Sequence, residues 1–160
     1  MAAHITQTSV QVLEIVKEER IAASIDLVFA TVLEQLGPEN EAPGTGRIPM
    51  VLEPWPGGRW FRDLGNDTGH FWGNVQAIRP PTLLEICGPL FMSYPAVSNV
   101  QFRLTEDRDA TRLRFVHRAM GHVGPDQRIE DVWGQVESGW SNLITRISTA
   151  SRLRPDGSPL

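Results

Sequence analysis

The side chains of this chain that titrate nearest neutrality are four histidines, His4, His70, His117 and His122, and a single cysteine, Cys87. Their spacing restricts what they can do. His117 and His122 stand five residues apart, across a predicted strand end and turn, with no third metal ligand in register, so no metal site is expected. One cysteine can form neither an intrachain disulfide nor a thiolate cage. There is no Gly-x-Gly-x-x-Gly, no Gly-Lys-Ser/Thr phosphate loop, no His-Glu-x-x-His and no nucleophile elbow. No cofactor is expected, and no catalytic residue is assigned. His117 is the one histidine with a defined setting. It alternates with Leu113, Phe115 and Ala119 and so shares their face of a strand. Two readings are open for it: a core imidazole satisfied by a hydrogen bond, or a polar group in the wall of an apolar cavity, orienting a ligand or moving a proton.

Aromatic side chains supply a second chemistry, recognition of an apolar ligand. Trp55, Trp60, Phe71, Trp72, Trp133 and Trp140 are large enough to line a pocket, or simply to fill a core. Phe91, Met92 and Tyr94 fall in a stretch bounded by Pro89 and Pro95 that could cover an entrance. Tyr94 is the only tyrosine, and its hydroxyl could donate to a ligand oxygen. The candidate ligand-binding set is His117, Phe115, Trp60, Phe71, Tyr94, Phe102, Trp133 and Trp140. Asp131 and Glu137 are assigned to a solvated face.

These residues must be held by particular elements. Ile129, Val132, Trp133, Val136, Trp140, Leu143, Ile144 and Ile147 recur at three- and four-residue steps, which predicts an amphipathic helix from Pro125 to Leu153. A second helix follows Ser24, a good N-cap, through Ile25, Val28, Phe29, Val32, Leu33 and Leu36, and ends at Gly37-Pro38. The rest reads as strands: Val10–Arg20, Pro49–Pro54, Arg59–Leu64, Thr68–Ile78, Leu83–Gly88, Ser98–Glu106 and Thr111–Met120. Glu39–Arg47 reads as a loop, with room for a short helical turn. Gly73 marks a bulge or a close backbone approach in its strand, and Gly139 predicts close contact or a slight bend in the last helix. In the final hairpin Val100, Phe102 and Leu104 share one face.

At 160 residues the chain has the length of one domain, expected over 8–153, with 1–7 and 154–160 as flexible termini. Its 41% hydrophobic and 21% charged residues are those of a globular protein. A net charge of -4 argues against nucleic acid as a partner. Arg103, Arg112, Arg114 and Arg118 are assigned to the solvated outer face of strands. No segment approaches the ~20 apolar residues of a membrane helix, and the N-terminus lacks the pattern of a signal peptide. A cytoplasmic location and a monomer or homodimer are expected.

The motifs then resemble a known superfamily. Ile21-Ala22-Ala23 precedes a helix holding Val28-Phe29. Pro56-Gly57-Gly58-Arg59, Gly73-Asn74-Val75, Ile78-Arg79-Pro80-Pro81 and Gly139-Trp140 follow in order. Together they resemble the START-like, or SRPBCC, superfamily, shared with the birch-pollen allergen, in its branch named after the activator of a heat-shock chaperone ATPase. The resemblance implies an α+β helix-grip fold: a curved antiparallel sheet wrapped around the C-terminal helix, with a cavity between them. A second short helix that it leads one to expect between Glu34 and Pro54 is not evident. It implies a small, largely hydrophobic ligand in the cavity. The alternatives it leaves are a cyclase, aromatase or hydrolase using the same cavity, and a chaperone-cofactor-like interaction module.

Overall fold

A computed structural model describes residues 1–5, 9–92, 94–122 and 129–153, with backbone only for Ile129, Glu130 and Val132. Pro125, within 123–128, lies outside these residues, as do 6–8, 93 and 154–160. The elements run β1 (Gln11–Ile21), α1 (Ile25–Leu36), β2 (Glu41–Ala42), β3 (Gly46–Arg47), β4 (Val51–Leu52), β5 (Arg59–Gly65), β6 (Thr68–Arg79), β7 (Leu83–Gly88), β8 (Ala96–Asp107), β9 (Ala110–Gly121) and α2 (Ile129–Arg152). Seven strands form one antiparallel sheet in the order β1-β9-β8-β7-β6-β5-β4. With α2 against it, this is the helix-grip α+β fold. The expected loop at Glu39–Arg47 is instead a two-stranded hairpin, β2–β3, separate from the main sheet. Its strands are two residues each, too short to leave an alternation in the sequence.

Ser24 caps α1 as its side chain predicts, its Oγ accepting from the Leu27 amide. At the other end Gly37 lets the chain turn, because a Cβ there would stand 2.9 Å from the Leu33 carbonyl oxygen. The Trp60 indole donates to the Leu36 carbonyl at 2.7 Å, satisfying one of the acceptors a helix end leaves open. The glycines of Pro56-Gly57-Gly58 have two duties. Gly57 takes φ +82°, and the pair docks on β6 through Gly57 N–H to the Val75 carbonyl and Val75 N–H to the Gly58 carbonyl, both 2.8 Å.

Along β8 and β9, Val100, Phe102, Leu104, Leu113, Phe115 and His117 are buried on the inner face. The arginines point outward. Arg112, Arg114 and Arg118 pair with Asp107, Glu18 and Glu14 at 3.1, 2.8 and 2.6 Å, and Arg103 donates to Gln101. Such exposed pairs add little stability.

Gly73 behaves as its position predicts. A Cβ on it would lie 2.5 Å from the Cys87 carbonyl oxygen. The pairing also slips there: Trp60 faces Gly73 but Phe61 faces Phe71, so Trp72 is the extra residue of a bulge.

Candidate functional site

An open cleft of about 1470 Å³ runs along α2, between that helix, the end of α1, the β2–β3 hairpin and the β7–β8 connection. Its middle is aromatic. Trp60 meets Trp72 edge-on with centroids 4.9 Å apart, Trp72 meets Phe91 at 5.5 Å, and Phe91 meets Trp140 at 6.1 Å. Trp60 is held by its bond to α1, and Trp72 donates its indole N–H to His70 Nδ1 at 3.0 Å. Leu36, Ile48, Met92, Val136 and Leu143 add to the apolar lining.

The helix presents two adjacent stripes. Val136, Trp140, Leu143, Ile144 and Ile147 are buried. Beside them Asp131, Gln135, Ser138 and Arg146 look into the cleft, together with Gly134 and Gly139. A Cβ at either glycine would meet nothing within 4 Å. The close contact expected at Gly139 is therefore absent; the glycine faces open space instead. Each glycine costs a helix interior about 1 kcal/mol relative to Ala.

The cleft has a polar terminus at each end. At one, Arg146 donates to Asn142 Oδ1, Gln35 Oε1 and the Glu39 and Glu41 carbonyls, tying α2 to α1 and the β2–β3 hairpin. Burial lowers the pKa of this guanidinium, with the Glu41 carboxylate acting the other way. At the other end, Tyr94 and Trp133 meet edge-on at 6.5 Å. The Tyr94 hydroxyl and the Trp133 indole N–H are buried and have no hydrogen-bond partner among the described residues. Burial raises the Tyr94 pKa and keeps the phenol protonated.

His117 lies behind Trp140, with no exposure. The Trp140 indole can only donate, and it does so to His117 Nδ1 at 3.0 Å. The ring proton is therefore on Nε2, which donates to Ser98 Oγ at 3.0 Å. Both nitrogens are used, and desolvation lowers the pKa to about 4. This geometry is that of a neutral core imidazole.

A family model described as "Activator of Hsp90 ATPase homolog 1-like protein" matches residues 45–151. The chain belongs to that family. Among curated proteins none matches it. Several solved structures share the fold of this family member. An uncharacterized protein of Rhizobium leguminosarum is 16% identical over 87% of this chain and 96% of that one, with TM-score 0.63. StfQ, a di-domain ARO/CYC of the steffimycin biosynthetic pathway, is 11% identical over 89% of this chain and 51% of its own, with TM-score 0.65. Ara h 8.0201 is 11% identical over 88% and 98%, with TM-score 0.62. These likenesses show the shared helix-grip α+β fold.

In this chain the sequence-derived candidates divide. Trp60, Tyr94 and Trp140 line the cleft, and Trp133 packs against Tyr94. Phe102 and Phe115 do not reach it; they are fully buried against each other, and Phe115 against Trp140 at 4.7 Å. Phe71 is exposed on the outside of the β5–β6 hairpin. Simple alternation puts Phe71 on the face of Val75; the bulge at Trp72 reverses it, turning Trp72 into the cleft. Phe91, Met92 and Tyr94 line the cleft, and Asp131 is exposed in it. Glu137 is exposed and paired with Lys17. Sequence reasoning missed Gln135, Ser138 and Arg146. A signal for them existed: 131, 135, 138, 142 and 146 repeat at three- and four-residue steps, a polar stripe adjoining the apolar one. Among the described residues no group of three His, Cys, Asp or Glu could hold a metal, and no helix is long and apolar enough to cross a membrane.

Proposed function

We propose that the protein binds a small, largely hydrophobic molecule in the cleft along α2. The observation that carries this is the run of four aromatic rings, Trp60, Trp72, Phe91 and Trp140, bordering open space that Gly134 and Gly139 leave unfilled. Concave, mostly apolar sites with a few polar groups are what small-molecule binding uses. A titration of the native protein with anilinonaphthalene sulfonate tests it. Saturable one-site fluorescence is expected, and Gly139→Leu, which fills the cleft from a helix position, should abolish it without lowering the melting temperature. Dye binding that appears only on unfolding would sink the proposal.

A cyclase, aromatase or hydrolase in the same cleft would need a titrating group at the wall. Glu41, Tyr94 and Asp131 carry ionisable groups on that wall, whereas His117 lies behind Trp140 with both nitrogens committed.

One observation favours a second reading, docking on a partner protein. Val12, Met120 and Val97 are paired neighbours on three adjacent strands, and all are exposed, at 75%, 55% and 68%. Measuring Hsp90 ATPase turnover with and without this protein tests that reading. It predicts acceleration by the native chain and none by Met120→Glu; no acceleration by the native chain refutes it.

A further inference from the structure

The aromatic middle of the cleft explains how an apolar body is held, but not why two polar tips are buried beside it with nothing to bond. Tyr94 stands on the β7–β8 connection and lines the cleft; Trp133 stands on α2, one turn before Val136. Their rings meet edge-on, and the phenol hydroxyl and indole N–H are both shielded from solvent and unpaired among the described residues. A buried hydroxyl or N–H without a partner costs about 1–3 kcal/mol. The other aromatic N–H groups around this interior have acceptors: Trp60 the Leu36 carbonyl, Trp72 His70 Nδ1, and Trp140 His117 Nδ1. Ser151 Oγ, at the end of α2, is also buried and unpartnered among the described residues but does not line the cleft; the two unpaired aromatic donors share one corner.

We infer that this corner is a subsite for a hydrogen-bond acceptor on the ligand, a neutral oxygen such as that of a ketone, quinone, ester or amide. An indole N–H can only donate, so the group that satisfies Trp133 must bring a lone pair. A phenol can donate as well, and a carbonyl oxygen has two lone pairs, one for each donor. Asp131, exposed on α2 and lining the cleft, adds no positive charge that would draw an anionic oxygen instead. The positive group of the cleft, Arg146, lies thirteen residues further along α2, about 20 Å at the helical rise, and is already engaged with four acceptors. The ligand is therefore oriented, with its apolar body against Phe91 and Trp140 and its oxygen toward Tyr94 and Trp133.

The inference rests on the cleft being a ligand site, and its test separates the two claims. The probe is prodan, a naphthyl ketone whose emission moves to the red when its carbonyl accepts a hydrogen bond, beside dimethylaminonaphthalene, the same body without the ketone. Native protein should bind prodan about tenfold more tightly than the ketone-free compound. Tyr94→Phe and Trp133→Phe should each shrink that preference and shift bound prodan to the blue. Affinity for the ketone-free compound should fall less than affinity for prodan in each variant. Because the hydroxyl has no protein partner, Tyr94→Phe should leave the unliganded melting temperature unchanged or raise it. Equal affinity for both probes, or a preference that survives both substitutions, overturns the subsite while leaving the cleft. Failure of both probes and of anilinonaphthalene sulfonate to bind overturns the cleft itself. A lowered melting temperature in Tyr94→Phe would show that the hydroxyl already has a partner, and overturns the subsite too.

Discussion

The two ends of this protein's interior are built from the same residue types and behave oppositely. Behind Trp140, Phe102, Phe115, Leu113, His117 and Ser98 are packed without solvent exposure worth the name, and the polar atoms of His117 each have a partner. In front of Trp140, Trp72, Phe91, Tyr94 and Trp133 are only partly buried, two helix positions carry no side chain, and two donors are unpaired. Trp140 touches both regions, with Phe115 at 4.7 Å on one side and Phe91 at 6.1 Å on the other. The difference teaches that aromatic content does not distinguish a core from a site. What distinguishes them is whether the polar tips are satisfied and whether the facing positions have β-carbons.

The largest expected effect is a truncation on each side of that partition. Phe115→Ala removes a fully buried ring and should destabilise the fold by about 3–5 kcal/mol. Dye affinity of the fraction that remains folded should not change. Phe91→Ala removes a partly buried ring from the cleft wall, at a stability cost of about 1 kcal/mol, while dye affinity falls about tenfold. Urea unfolding and fluorescence titration of the two variants settle the comparison. Similar stability losses would mean that the cleft wall is part of the same solid core.

The next effect is in pH. His117 has its pKa lowered to about 4 by burial, against an unfolded value near 6.5. Between these values the unfolded chain binds a proton that the folded chain refuses, so stability falls as pH falls from about 6.5 toward 4. Over the first 1.5 units of that descent the loss is about 2 kcal/mol. Glu53 and Glu137, whose pKa values are lowered by hydrogen bonds from Arg59 and Lys17, lose stability in the same direction but only at more acidic pH. Urea midpoints measured from pH 7 to pH 5 should therefore slope in the native protein and flatten in His117→Gln. Ligand affinity of the folded protein should be flat over that range in both. An affinity that tracked the His117 titration would place the imidazole in the site and break the partition.

Arg146 offers a smaller effect at the far end of the cleft. Arg146→Met keeps much of the packing but strands the Gln35 side chain and the Glu39 and Glu41 carbonyls. A loss of about 1–2 kcal/mol is expected. Amide exchange should quicken at Glu41–Ala42 and Gly46–Arg47, while the strands β8 and β9 keep their protection. Uniform quickening would show that the guanidinium supports the whole fold rather than the hairpin wall.

Much of this molecule is legible in the sequence wherever a period is long enough to count. The stripe of α2, the cap at Ser24 and the alternation through Leu113, Phe115 and His117 all emerge from spacing alone, and the missing Cβ of Gly73 signals the close backbone approach to Cys87. Phe71 faces outward, against simple alternation, because one inserted residue at Trp72 inverts the pleat, and nothing in a strand of mixed faces announces which neighbour is extra. The hairpin at 41–47 leaves no signal in the sequence because two-residue strands have no period. The site was half legible. Aromatic residues flagged its wall, but no spacing tells that Phe115 ends behind Trp140 and Phe91 in front of it. The imidazole of His117 could be placed on the inner face; only its bonds to Ser98 and Trp140 decide its role.

Gly139 gives the smallest effect and the one whose sign is most informative. In a helix interior, replacing glycine with alanine stabilises by up to about 1 kcal/mol when the new methyl meets no obstacle. A Cβ at Gly139 meets nothing within 4 Å, so Gly139→Ala should raise the urea midpoint rather than lower it. A position where a more stable residue fits and is absent needs another account, and the cleft supplies one. The methyl would project into the space beside Ser138 and Trp140 that a bound molecule needs. A modest loss of dye affinity, about two- to threefold on a scale where tenfold is 1.4 kcal/mol, should accompany the gain in stability. Stability and binding would then move in opposite directions at one atom. A methyl that lowered stability would mean that the helix packs more tightly there than the cleft geometry allows. One that raised stability and left binding untouched would push the ligand away from α2, toward Trp60 and Trp72.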